Sequence, residues 1–144
     1  MPVFKLTQMI RRPVDEVFNT VIHLEDFPKW SPQNPSARRL DNGEIRNGSR
    51  FEMEIKGFGL VPQELQEFQR NRQVRVVPNI KQLKGGHRFI FSGDNGSTRI
   101  DHELEMTPKG IFVLMLPLMW ITGKRTVRIT ANALKTYLET RASR

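Results

Sequence analysis

The chain has 144 residues, with 23 lysines and arginines against 15 aspartates and glutamates, a formal charge of +8, and no cysteine. This length suits a single domain, 1–144, able to bury roughly 70% of the surface its unfolded chain exposes. Lack of cysteine excludes a disulfide framework, thiolate metal sites and a cysteine nucleophile, and lack of a basic leader followed by an apolar run makes the cytoplasm the expected compartment.

Residues 3 to 10 alternate Val3, Lys5, Thr7, Met9 against Phe4, Leu6, Gln8, Ile10, the period of a strand. Pro13 suits a first helical position, with Asp15 and Glu16 in the first turn, where the helix dipole favours acids. Val14, Val17, Phe18 and Val21 make one apolar stripe at helical spacing. A second short turn, Leu24 to Phe27, is stopped by Pro28-Lys29-Trp30-Ser31-Pro32.

Strands follow. Residues 36 to 41 carry a sparse pattern, whereas 49 to 56 alternate cleanly, with Phe51, Met53 and Ile55 on one face. A three-residue loop at Gly57-Phe58-Gly59 places Val61, Gln63 and Leu65 on that same apolar face; a two-residue loop would place Pro62, Glu64 and Gln66 there. Further strands are expected at about 61 to 69 and 73 to 78. Residues 86 to 107 read as a hairpin turned by Gly93-Asp94-Asn95-Gly96. A two-residue Asn-Gly turn pairs Phe89 with His102 and Phe91 with Ile100; a four-residue loop pairs His87 with His102. Either way His87, Phe89 and Phe91 share a face with Ile100, His102, Leu104 and Met106.

Residues 108 to 141 contain no period-two run. Trp120, Gly123, Val127, Ala131, Leu134 and Leu138 lie at helical spacing, so a long helix is expected over roughly 117 to 140. The apolar run Ile111 to Thr122 is too short to span a bilayer, which takes about 20 residues; a buried segment or one touching a membrane surface is expected. The resulting fold class is α+β: a curved antiparallel sheet of about seven strands wrapped around a long C-terminal helix, with two short helices after the first strand. One sheet face is apolar and must be covered, and the terminal helix is the only element long enough to do it.

Four passages resemble the helix-grip superfamily often called SRPBCC, which includes polyketide cyclase/dehydrase-like proteins, START lipid-transfer domains and birch-allergen-like proteins. They are Ile10-Arg11-Arg12-Pro13-Val14-Asp15-Glu16-Val17-Phe18, Leu24 to Pro32, Gly96-Ser97-Thr98-Arg99-Ile100, and Ala133-Leu134-Lys135-Thr136-Tyr137-Leu138-Glu139. His23 departs from the acidic residue many relatives carry there. The resemblance implies a cavity between sheet and helix for a hydrophobic ligand, with Trp30 at its mouth. It does not imply one reaction, because members range from carriers to cyclases to chaperone activators.

On that reading the ligand-binding residues are Trp30, Phe51, Met53, Ile55, Gln63, Leu65, Phe89, Phe91, Ile100, His102 and Leu104; without the resemblance all would read as core. His102 lies within an otherwise apolar face, where desolvation favours the neutral imidazole, one donor and one acceptor. A core role satisfied by a neighbour ranks ahead of ligand contact, and catalysis as a general base ranks last. His87 is expected to be partly exposed. His87 and His102 form a two-nitrogen site only in the four-residue register, and no third ligand joins them, so no metal is expected. No cofactor motif is present either. Glu67 is expected at a solvated strand end and Gln63 as an orienting contact.

The first expectation is therefore binding of a lipid, isoprenoid, quinone or polyketide-like compound. A cyclase or dehydratase using His102 is the alternative; Tyr137, the only tyrosine, is expected too late in the last helix to assist. A third reading is a basic surface for acidic lipid or nucleic acid, built on Arg70, Arg72 and Arg75 at one turn and Lys124, Arg125 and Arg128 on the last helix. Basic residues never run beyond two in a row, so the charge reads as dispersed and solubilising. Few aromatics interleave with them, which argues against nucleic acid and leaves weak contact with an anionic membrane surface. Oligomeric state stays open, a homodimer included.

Overall fold

Alternation of apolar and polar side chains sets the sheet, and two runs at helical spacing set the helices that cover it. The computed structural model describes residues 3–56, 59–80 and 83–141. In chain order the elements are β1 (Val3–Ile10), α1 (Val14–Ile22), a 3-10 helix (Leu24–Lys29), β2 (Ala37–Arg39), β3 (Arg50–Ile55), β4 (Gly59–Gln69), β5 (Gln73–Pro78), β6 (Leu83–Asp94), β7 (Ser97–Pro108), a second 3-10 helix (Gly110–Met115) and α2 (Leu116–Arg141). The seven strands form one curved antiparallel sheet in the order β1-β7-β6-β5-β4-β3-β2. Pro13 is the N-cap of α1 rather than its first helical residue; its carbonyl accepts from the Val17 N–H at 3.1 Å.

The registers decide which side chains face inward. Met53 pairs with Val61 and Phe51 with Gln63, and Val61, Gln63 and Leu65 are buried, as the three-residue loop requires. Residues 57 and 58 of that loop lie outside the described residues. In the β6–β7 hairpin Asp94 pairs with Ser97, leaving Asn95-Gly96 as a two-residue turn. Both turn residues have positive φ, 49° and 79°, the conformation that makes Asn-Gly the favoured dipeptide there. Phe89 therefore faces His102, and Phe91 faces Ile100.

β4 breaks its own alternation. Continuing the pattern of 61, 63 and 65 would turn Glu67 inward. Instead the register with β5 shifts between Gln66 and Gln69, and Glu67 takes a left-handed φ of 51°. The bulge sends Glu67 to the outer surface and turns Phe68 inward, where its ring meets Phe18 edge-on at 5.4 Å.

The concave face has two covers, where the terminal helix alone was expected. α2 packs on β1 and, less extensively, on β7; α1 packs on β6 and β7. Val17, Phe18, Val21 and Ile22 of α1 are fully buried, and Phe18 meets Phe91 edge-on at 5.2 Å. Along α2 the stripe Gly123, Val127, Ala131, Leu134 and Leu138 faces the sheet, and the side chain of Trp120 lies outside the described residues. Gly123 sits so close to Phe4 that an added Cβ would stand 2.3 Å from the ring. Among the described residues no helix is long and apolar enough to cross a membrane.

Candidate functional site

The concave face collects the residues that the sequence assigns to a pocket. Trp30, Phe51, Met53, Gln63, Leu65, Phe89, Phe91, Ile100, His102 and Leu104 are all buried; Ile55, near the end of β3, is only half-buried. Phe51, Met53, Leu65, Phe89, Phe91 and Ile100 belong to one apolar cluster with Leu134 and Leu138 of α2, while Leu104 joins Phe4 and Val127 in a smaller one. This surface is therefore in contact with α1 and α2. Phe91, pressed by Phe18, is the clearest case.

His87, half-buried, and His102, buried, make the polar centre of that face. His87 Nδ1 lies 2.7 Å from His102 Nε2, a hydrogen bond in which one ring donates and the other accepts. This contact occurs in the two-residue register, contrary to the expectation that only a four-residue loop would join them. The reason is diagonal packing: Leu104 is directly opposite His87, yet a ring reaches its diagonal neighbour across an antiparallel pair. Phe89 stacks on His102 with ring centres 4.3 Å apart, and the two imidazoles stack at 5.0 Å. Burial pushes the His87 pKa down to about 4. Burial, and then repulsion from His87, holds His102 well below the ordinary histidine value. Both rings are thus neutral near pH 7, which suits hydrogen bonding to a carbonyl or hydroxyl and suits a general base. Among the described residues no group of three metal-ligating side chains occurs.

A cleft of about 700 Å³ opens where the first 3-10 helix meets α2. Lys29 and Trp30 form one wall; Asn132, Thr136, Tyr137 and Thr140, on successive turns of α2, form the other. Trp30 is held by Phe27, whose ring centre is 4.5 Å away, and by its backbone N–H, which donates to the Phe27 carbonyl. Its indole Nε1 is buried without a hydrogen-bond partner among the described residues. Of the residues assigned to the pocket, Trp30 alone borders this cleft. The polar face of α2 was missed, although Asn132, Thr136 and Thr140 recur at intervals of four, a legible helical face. Tyr137, expected late in the last helix and badly positioned for chemistry deep in the pocket, stands in the wall of the cleft opposite Trp30. His23, the departure from the family pattern, caps α1 instead: its Nδ1 lies 2.6 Å from the Asn19 carbonyl.

Charges on the convex face cancel one another. Glu67 accepts from Arg88 at 3.0 Å and from Arg75 at 3.4 Å, and Arg88 also reaches Glu103. These bonds hold the Glu67 carboxyl below its usual range. Arg70 pairs with Glu44 and lies over the Phe68 ring. Of the turn cluster, Arg70 and Arg75 are therefore engaged within the protein, while Arg72 donates its backbone N–H to the Gln69 carbonyl.

No curated protein matches the sequence. Residues 10–135 match the sequence model of the family described as polyketide cyclase / dehydrase and lipid transport. Among solved structures, a START superfamily protein from Mycobacterium smegmatis superposes with a TM-score of 0.77 at 18% identity, covering 96% of this chain and 97% of that one. A protein from Thermus thermophilus gives 0.79 at 17% identity, covering 99% and 100%. The Zhui aromatase/cyclase of a Streptomyces species gives 0.79 at 12% identity, covering 98% and 95%. At such identities these likenesses establish the helix-grip fold.

Proposed function

This chain belongs to the polyketide cyclase / dehydrase and lipid transport family, and from that membership we propose that it binds an apolar small molecule between the sheet and α2, admitted through the cleft at Trp30. A lipid, isoprenoid, quinone or polyketide-like compound fits the chemistry. The observation that carries the reading is the cleft of about 700 Å³ with Trp30 in its wall, together with a buried Trp30 indole N–H that has no hydrogen-bond partner among the described residues. A buried donor without an acceptor costs roughly 1–3 kcal/mol, and a ligand carbonyl or ether oxygen would remove that cost. The volume falls within the roughly 300–1,000 Å³ of small-molecule sites. Native mass spectrometry of the purified protein, followed by titration with a fluorescent apolar probe, tests this. A co-purifying apolar mass or saturable uptake is expected; neither one, in properly folded protein, overturns the proposal.

The hydrogen-bonded histidines favour a second reading, a cyclase or dehydratase in which His102 acts as base. Its imidazole is neutral and has a partner to fix its tautomer. On that reading His102→Ala abolishes turnover of any substrate found, and unchanged turnover removes it.

A further inference from the structure

From Glu105 to Glu139 the chain carries no acidic residue, while Lys109, Lys124, Arg125, Arg128 and Lys135 fall in between. Ile121, Lys124, Arg125 and Arg128 stand at intervals of three and four on α2, all exposed, on the side turned away from the buried stripe of Gly123, Val127 and Ala131. The charge that reads as dispersed in sequence is thus gathered into a stripe by the helix. None of the ion pairs among the described residues takes up Lys124, Arg125 or Arg128, in contrast to the paired arginines of the convex face. Large apolar side chains are exposed on the same helix and on the 3-10 helix that leads into it: Leu114 is 80% exposed, Ile121 74% and Val113 45%. Lys84 and Lys109 also lie against each other, and their contact and mutual repulsion lower the Lys109 pKa, a crowding of positive charge that an anion relieves.

We propose that this apolar tip and basic stripe dock onto an anionic lipid surface. The apolar residues sink into the headgroup boundary, and the basic residues meet phosphate and carboxylate headgroups. Dispersed apolar residues on a soluble surface need no explanation, but exposed leucine and isoleucine beside uncompensated cations match the two-part chemistry of an acidic bilayer. Base stacking plays no part, because the described exposed side chains of the patch are aliphatic and basic, which favours lipid over nucleic acid. The proposal does not depend on the interior holding a ligand.

Vesicle sedimentation provides the test, using phosphatidylcholine vesicles with and without phosphatidylserine, at low and high salt, with short duplex DNA as a parallel arm. The full chain should sediment with the serine-containing vesicles, more weakly at high salt, and should leave DNA unbound. Lys124→Glu and Arg125→Glu should each weaken partitioning about fivefold or more, as expected for a basic residue near an anionic surface. Leu114→Asp with Ile121→Asp should weaken binding at both salt concentrations. These side chains are exposed, so unfolding temperatures should stay at the wild-type value, and the salt series needs no variant. Failure to sediment with acidic vesicles, insensitivity to these substitutions, or binding of DNA in place of vesicles overturns the proposal.

Discussion

A proton on His87 or His102 has nowhere favourable to go inside this fold. In the unfolded chain each imidazole takes a proton near pH 6.5, whereas burial moves that of His87 to about 4. Above pH 6.5 both states are neutral at this residue and its contribution to stability is complete. Between pH 6.5 and about 4 the unfolded chain binds a proton that the folded one refuses, so stability falls with pH; below that window the loss levels off. The loss from His87 amounts to up to roughly 3 kcal/mol, and His102, shifted in the same direction, adds to it. Urea unfolding across the window should show this slope, and His87→Phe should flatten it; an unchanged slope places the acid sensitivity elsewhere. Sequence periodicity already places both histidines on the inner face whichever turn joins their strands. It cannot reveal that they touch, because a diagonal contact depends on the sheet's twist and on ring rotamers, neither of which alternation encodes. Trp30 was legible through the family pattern; its facing wall was not, since small polar residues on a helix look like ordinary solvated surface.

At the scale of elements, α2 is seated by one glycine. Glycine inside a helix normally costs about 1 kcal/mol relative to alanine. At Gly123 the sign reverses, because a Cβ would stand 2.3 to 2.8 Å from three atoms of the buried Phe4 ring. Gly123→Ala should destabilise by about 1–3 kcal/mol, as overpacking does, measured as a drop in the denaturant midpoint. Phe4→Leu in the same chain should recover part of it; a neutral or stabilising Gly123→Ala would show that α2 is loosely seated. Strands, helices and the face of each strand were legible because apolar residues recur at two and at 3.6. The bulge at Glu67 was not, although its consequence, a solvated carboxylate, matches expectation. That kink is held by Arg75 and Arg88 on the outside and by the Phe68–Phe18 contact on the inside, tertiary partners that alternation does not encode. The share of cover provided by α1 was missed for a related reason: length alone does not reveal how much surface four large apolar residues can bury.

For the whole molecule, the functional proposals fall on different parts of α2. The cleft lies along its C-terminal half, and the basic stripe along its N-terminal half. Thr136→Trp should block probe uptake while leaving the unfolding temperature near wild type, because Thr136 is exposed on the cleft wall. Equal uptake by that variant would mean that ligands enter elsewhere. The strand order carries a separate consequence for the chain's history. Val3 pairs with Glu105 and Ile10 with Thr98, so β1 must find a partner 88 to 102 residues downstream. During synthesis the opening strand waits unpaired until the final hairpin has emerged, its hydrogen-bonding edges available to any neighbouring chain. Closure between such distant segments makes folding slow compared with a helical bundle of equal size. That interval is when pairing with a neighbouring chain competes with closure of the sheet.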